Sequence, residues 1–199
     1  MGLINNKPFQ YYSSKNQLQI INNYQHQNMI KNLFITVSIL FSSVLIAQSD
    51  VKIEFKSETN VTLNNLKIDK NTTFDEIKKI LGEPKVYKEY ASGKVNYHYA
   101  ENGITLQTMN GKLLLLGFNY NWDGDKTFPE STFKGELVIN GVSFDQNSNQ
   151  KNLEKIENID FMEVMPGFVF SKPKAGKKNT LIVLGFKNDK VTQIGFEFH

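Results

Sequence analysis

The chain has no cysteine. It therefore has no disulfide framework, no thiol nucleophile and no cysteine for lipid anchoring behind a leader. Arginine is missing as well, every basic residue being lysine, so the planar fork that reads guanine or phosphate in two hydrogen bonds is absent. Histidine is sparse. Beyond the first 47 residues only His98 and His199 remain, and no nearby serine or aspartate is arranged to orient His98 as a general base. Long apolar runs are limited to one, Leu33 to Ala47, which is shorter than the roughly 20 residues a spanning helix needs.

That run follows Met29-Ile30-Lys31 and reads as the apolar region of a signal peptide, residues 29–47, with the mature chain starting near Gln48. The expected location is periplasmic or secreted, with no membrane span once the signal is removed. Residues 1–28 are rich in Asn, Gln and Tyr and free of acid. They read as an upstream extension outside the fold. Lys7, Lys15 and Lys31 leave with these segments and no acidic residue does, so the net charge of +3 falls to zero. A neutral, arginine-free chain has no electrostatic reason to seek nucleic acid or an anionic membrane. About 150 residues remain, enough for one ordinary core or two small packed ones.

The mature part repeats itself. Val61 to Asn71 lies over Leu137 to Asn147 at a constant offset of 76, with Asn64, Asp69 and Asn71 identical to Asn140, Asp145 and Asn147. The match resumes as Asn110–Phe118 over Asn188–Phe196 at an offset of 78. A lead strand in 48–60 precedes unit 1 (61–120), a linker (121–136) and unit 2 (137–199).

Each unit opens with a short strand that runs into an Asp/Asn turn and then a helix. Thr73-Phe74-Asp75-Glu76 fits a capping box, Phe74, Ile77, Ile80 and Leu81 share one helical face, and Gly82 and Pro84 form the stop. In unit 2, Leu153 and Ile156 stand for Ile77 and Ile80 without a comparable cap. Strands follow at 95–100, 104–109 and 113–120, and at 168–170, 181–187 and 191–198, with Asn-Gly or Asn-Asp at their turns. Leu116, Phe118 and Tyr120, like Ile194, Phe196 and Phe198, alternate onto one face expected beneath the helix. The fold class predicted is α+β, two tandem units each with a short helix packed on an antiparallel sheet.

A helix carrying Thr73, Ile77, Leu81, Gly82 and Pro84, followed by a hairpin-rich sheet and duplicated in tandem, resembles the β-lactamase inhibitory protein superfamily. That group includes the small lipoprotein subunit of the outer-membrane barrel assembly machinery. The resemblance covers about residues 61–199. The chain departs from the assembly subunit in having two units and no anchoring cysteine, and from the inhibitor in having no disulfides. The resemblance implies an exported, non-enzymatic protein-binding module.

Two stretches are site-like. Asn119 to Glu130 has the spacing of a twelve-residue calcium loop, with oxygen-bearing Asn119, Asn121, Asp123, Asp125 and Glu130 and a glycine at position six. Asn119 in place of Asp, the stiff Pro129 and a strand before the loop argue for a polar turn instead. Leu113-Leu114-Leu115-Leu116 is apolar on both faces of a strand, which sends Leu113 and Leu115 away from the helix, into burial between units or to a partner. Tyr87, Tyr90, Tyr97, Tyr99 and Trp122 add aromatic surface suited to an interface. Gly141–Asp145 begins like a nucleophile elbow but lacks its last glycine. The first functional reading is a binder of a protein partner, with no cofactor. The alternative is a calcium-dependent structural or carbohydrate-associated envelope protein.

Overall fold

The computed structural model describes residues 51–173 and 180–199. The proposed extension 1–28, the signal 29–47 and most of the polar loop at 173–178 lie outside the described residues. The chain divides into residues 1–48 and 49–199, and the described residues all belong to the second part.

Its elements run β1 (Lys52–Ser57), β2 (Asn60–Leu63), β3 (Leu66–Ile68), α1 (Phe74–Leu81), β4 (Lys85–Glu89), β5 (Lys94–Tyr99), β6 (Ile104–Met109) and β7 (Lys112–Asn119). Unit 2 adds β8 (Glu136–Ile139), β9 (Val142–Phe144), β10 (Phe161–Met165), β11 (Phe168–Ser171), β12 (Leu181–Lys187) and β13 (Lys190–Glu197). They build a five-stranded sheet, β3-β2-β1-β8-β9, and an eight-stranded sheet, β10-β11-β12-β13-β7-β6-β5-β4.

This corrects the α+β expectation. The protein is mainly β, and among the described residues α1 is the only α-helix. The two units do not pack as separate bodies: β7 pairs with β13, so each unit supplies half of one large sheet, while the hairpins β2–β3 and β8–β9 leave to form the small one. Local patterning marks strands and turns but carries no information on which strand pairs with which.

The registers reveal an internal two-fold relationship. Gly117 faces Gly195, Phe118 faces Ile194 and Leu116 faces Phe196. Since residue 117 corresponds to 195 and 118 to 196, exchanging the units reproduces the same pairs. In the small sheet β1 lies on the axis. Glu54 is flanked by Thr62 on β2 and by Val138 on β8, which are counterparts at the offset of 76. One strand cannot obey a two-fold axis, so β1 runs antiparallel to β2 and parallel to β8.

The duplicated sequence makes duplicated hydrogen bonds. Asp69 Oδ1 accepts from the Asn71 amide at 2.7 Å and Asp145 Oδ1 from the Asn147 amide at 2.8 Å. The Leu113 amide then donates to Thr72 O, as the Val191 amide does to Ser148 O. Asn64, Asn110, Asn140 and Asn188 all hold positive φ at their hairpin turns, a conformation asparagine tolerates better than most residues. Bulges repeat too, with Leu114 unpaired between Thr108 and Gln107 on β6, and Thr192 unpaired between Phe186 and Gly185 on β12.

The core is one cluster between the sheets. Leu116, Phe118, Ile194 and Phe196 are fully buried, but chiefly beneath the small sheet and not, as the pattern suggested, beneath a helix. Phe55 of β1 stacks on Phe196 with centroids 5.8 Å apart, and Phe118 meets Phe196 edge-on. α1 begins as the sequence indicates. Thr73 Oγ1 accepts from the Glu76 amide, Glu76 Oε2 accepts from the Thr73 amide at 2.7 Å, and Gly82 ends the helix at φ +83°. Ile77 is buried and Phe74 stacks on Tyr97. At the same place in unit 2 the chain forms only a 3₁₀ turn, Gln150–Lys155, yet it too has a capping box, Asn149 with Asn152, which the sequence reading missed.

Candidate functional site

The large sheet has one face on the core and one turned away from it, here the back face. After β7 the linker crosses part of this face as a strap. Two Asx turns shape it: Asp123 Oδ1 accepts from the Asp125 amide and Asp125 Oδ1 from the Thr127 amide. The turns aim the Thr127 carbonyl at the sheet, where His98 Nε2 lies at 2.9 Å, Thr105 Oγ1 at 2.9 Å and Asn96 Nδ2 at 3.4 Å. A carbonyl only accepts, so His98 carries its proton on Nε2. Phe128 then sets its ring over Gly117; a Cβ there would lie 2.6 Å from the ring, which explains the glycine in mid-strand. Asn119 Nδ2 closes the strap by donating to Glu130 O and Ser131 O. Gly103 lets the strap backbone pass, since a Cβ on it would meet Phe133 N and Ser131 O at 2.5 Å.

The five calcium-loop candidates are thus spread along the strap. Asn119 is buried and its amide holds the strap's far end. Asn121 donates to Gln146 O and Val191 O. Asp123 and Asp125 cap successive turns, and Glu130 is exposed. Among the described residues no group of three or more His, Cys, Asp or Glu side chains is placed to hold a metal ion. What the geometry builds here is a polar strap tied to a sheet.

The interface candidates also separate. Leu113 is in the core and Leu115 on the back face, because the bulge at Leu114 breaks the alternation that would have put them together. Tyr97 lies half-buried under Phe74. Tyr99 is buried, and burial raises the pKa of its phenol. Trp122 is exposed, with Nε1 donating to Asp125 O. His98 stacks on Tyr87 at 4.3 Å, and burial lowers its pKa, partly offset by the bond to Thr127 O.

The sequence reading names Tyr87 on one outer strand but passes over the other outer strand entirely. β4 and β10 are the edges of the large sheet and hold most of the exposed large apolar side chains: Val86 and Tyr87 on β4, and Met162, Val164 and Met165 on β10. Lys85, Lys88 and Glu89 intersperse β4 with charge; β10 has only Glu163. The run Phe161-Met162-Glu163-Val164-Met165 was the available signal. Its alternation is poor because a bulge between Glu163 and Met165 interrupts it. A separate open depression of about 500 Å³ lies beside Tyr120, Phe133, Phe144 and Asp145.

These features define a two-sheet, internally duplicated β-protein with a strapped back face. The chain belongs to a family described as a domain of unknown function (DUF7738), whose model matches residues 52–154, from β1 through unit 1 and the strap to the 3₁₀ turn of unit 2. No curated protein and no solved structure matches it.

Proposed function

We propose that the chain is an exported, non-enzymatic module that binds another protein through the large sheet. The observation that carries this is the open edge strand β10, where Met162, Val164 and Met165 are 43 %, 46 % and 58 % exposed. An edge strand presents unpaired backbone donors and acceptors, and soluble proteins ordinarily blunt it with charge, as β4 does here. β10 combines an open edge with flexible, polarisable methionines, which adapt to irregular partner surfaces. His98 contributes as a structural group, engaged by a backbone carbonyl on one side and a tyrosine ring on its face. Export rests on the Met29–Ala47 segment.

The test is a photo-crosslinking amino acid at Met165 in the native cell, with the same group at exposed Lys70 as control. The reading expects a discrete adduct with another protein from Met165 only. No adduct, or the same adducts from both positions, would sink it.

A further inference from the structure

The two halves of the back face share a backbone and differ in chemistry. On unit 1, Lys85 pairs with His98, Lys88 with Asn96, Asn96 with Gln107 and His98 with Thr105. On unit 2, Met162 pairs with Phe170, Met165 with Phe168, Phe168 with Gly185 and Phe170 with Val183. Even the bulge in β4, between Val86 and Lys88, has its counterpart in β10 between Glu163 and Met165. Corresponding positions are therefore unambiguous. Lys85, Lys88, Asn96, His98 and Thr105 become Met162, Met165, Phe168, Phe170 and Val183, so five polar residues are matched by five apolar ones.

The polar half is occupied. The strap lies on it, Thr105 has no exposed surface, and Asn96 is 2 % exposed. The apolar half keeps surface, with Phe168, Phe170 and Val183 half-buried and both methionines exposed. Phe128 fills the space over Gly117. The counterpart Gly195 is also buried but less tightly packed: a Cβ on it would meet Leu115 at 3.7 Å and Leu116 O at 4.0 Å, both ordinary contacts. The protein thus contains its own example of what this backbone accepts: an extended segment laying an aromatic ring over a glycine.

We infer that the apolar half is a docking face for an extended, uncharged, aromatic-bearing segment of a partner protein, lying across β12, β11 and β10 as the strap lies across β7, β6 and β5. This rests on the protein-binding reading and names its site and ligand chemistry. Where Asn96, His98 and Thr105 hold the strap through a carbonyl, Phe168, Phe170 and Val183 have no side-chain donors. The occupant is held instead by burial of apolar side chains.

The experiment pans a random peptide library against the full chain and measures the affinity of enriched peptides for wild type, Met165→Lys, Phe170→Lys and Val86→Lys, with melting curves showing that each variant folds. The expected peptides are uncharged and aromatic. Met165→Lys, on an exposed position, and Phe170→Lys each weaken them about tenfold or more, while Val86→Lys on the opposite edge leaves affinity within about twofold. Peptides insensitive to Met165→Lys, or lost with Val86→Lys, would overturn the docking face and leave the protein-binding reading standing. Failure to enrich any peptide, with no adduct from Met165 in cells, overturns both. A dimer of the chain alone that Met165→Lys dissolves makes the occupant a second copy and overturns the partner segment.

Discussion

Gly117 and Gly195 face each other at the centre of the β7–β13 pair; both are buried, but only Gly117 has a ring packed tightly against it. The aromatic ring of Phe128 closes over Gly117, while a methyl group on its counterpart would meet Leu115 at ordinary contact distance. The two glycines mark both the internal two-fold axis and the point where the halves part in chemistry.

Alanine substitution separates them. Gly117→Ala drives a methyl group into the Phe128 ring and the Thr105 methyl, and the expected loss by denaturant unfolding is about 1–3 kcal/mol. Gly195→Ala meets Leu115 at ordinary contact distance and should change stability by less than about 1 kcal/mol. Equal effects would mean that the strap does not seat on β7.

β1 is the single strand between two symmetric hairpins, and Phe55 is its reach into the core. Phe55→Ala removes a side chain 1 % exposed and should cost about 3–5 kcal/mol, read from the same unfolding curves. A cost under about 1 kcal/mol would show that β1 is dispensable to the sandwich.

The helix cap should be measurable on its own. Thr73→Ala leaves the Glu76 amide unpaired and should lose about 1 kcal/mol. The Glu76 carboxyl is held below its usual range by the Thr73 backbone amide first and the Thr73 hydroxyl second. Its contribution is therefore complete above the ordinary carboxylate pKa and fades as pH falls through the lowered one. Glu76→Gln should flatten that part of the acid limb; an unchanged acid limb would contradict the cap.

His98 gives a second pH signature. Burial lowers its pKa, so the unfolded chain takes up a proton more readily than the folded one. Its stabilisation is full above about pH 6.5 and is lost as pH falls from there through the lowered folded pKa. Melting curves at about pH 7.5 and about pH 5 should show wild type losing more than His98→Gln, which keeps a donor for Thr127 O. An equal loss would remove His98 from the pH response.

The strands β5, β6, β7, β11, β12 and β13, the turns at Asn110 and Asn188 and the α1 cap were legible because each is a local signal carried by a few adjacent residues, whereas the hairpins that turn at Asn64 and Asn140 read as one opening strand in each unit. Four things were not legible. The β7–β13 pairing joins residues far apart in sequence, and nothing in either strand names the other. The bulges at Leu114 and at Val164 defeat a reading by strict alternation, which is how Leu113 was sent outward and β10 overlooked. The calcium-like spacing of Asn119–Glu130 uses the same residues as Asx turns, and only the hydrogen bonds of Asp123 and Asp125 show which job they perform. The polarity swap between His98 and Phe170 becomes visible only when β5 is laid over β11, where the sequences share too little to align.

The central claim is that the two repeats join edge to edge through β7 and β13. Because the chain has no native cysteine, the double variant Leu115→Cys with Glu197→Cys tests it cleanly. These residues are direct cross-strand partners on the back face, and opposed positions in an antiparallel pair fall within disulfide reach. Mild oxidation of the monomer should form the intramolecular bond nearly completely, read by non-reducing electrophoresis and peptide mass mapping. Free thiols after oxidation, or bonds only between molecules, would contradict the pairing and the internal two-fold arrangement built on it.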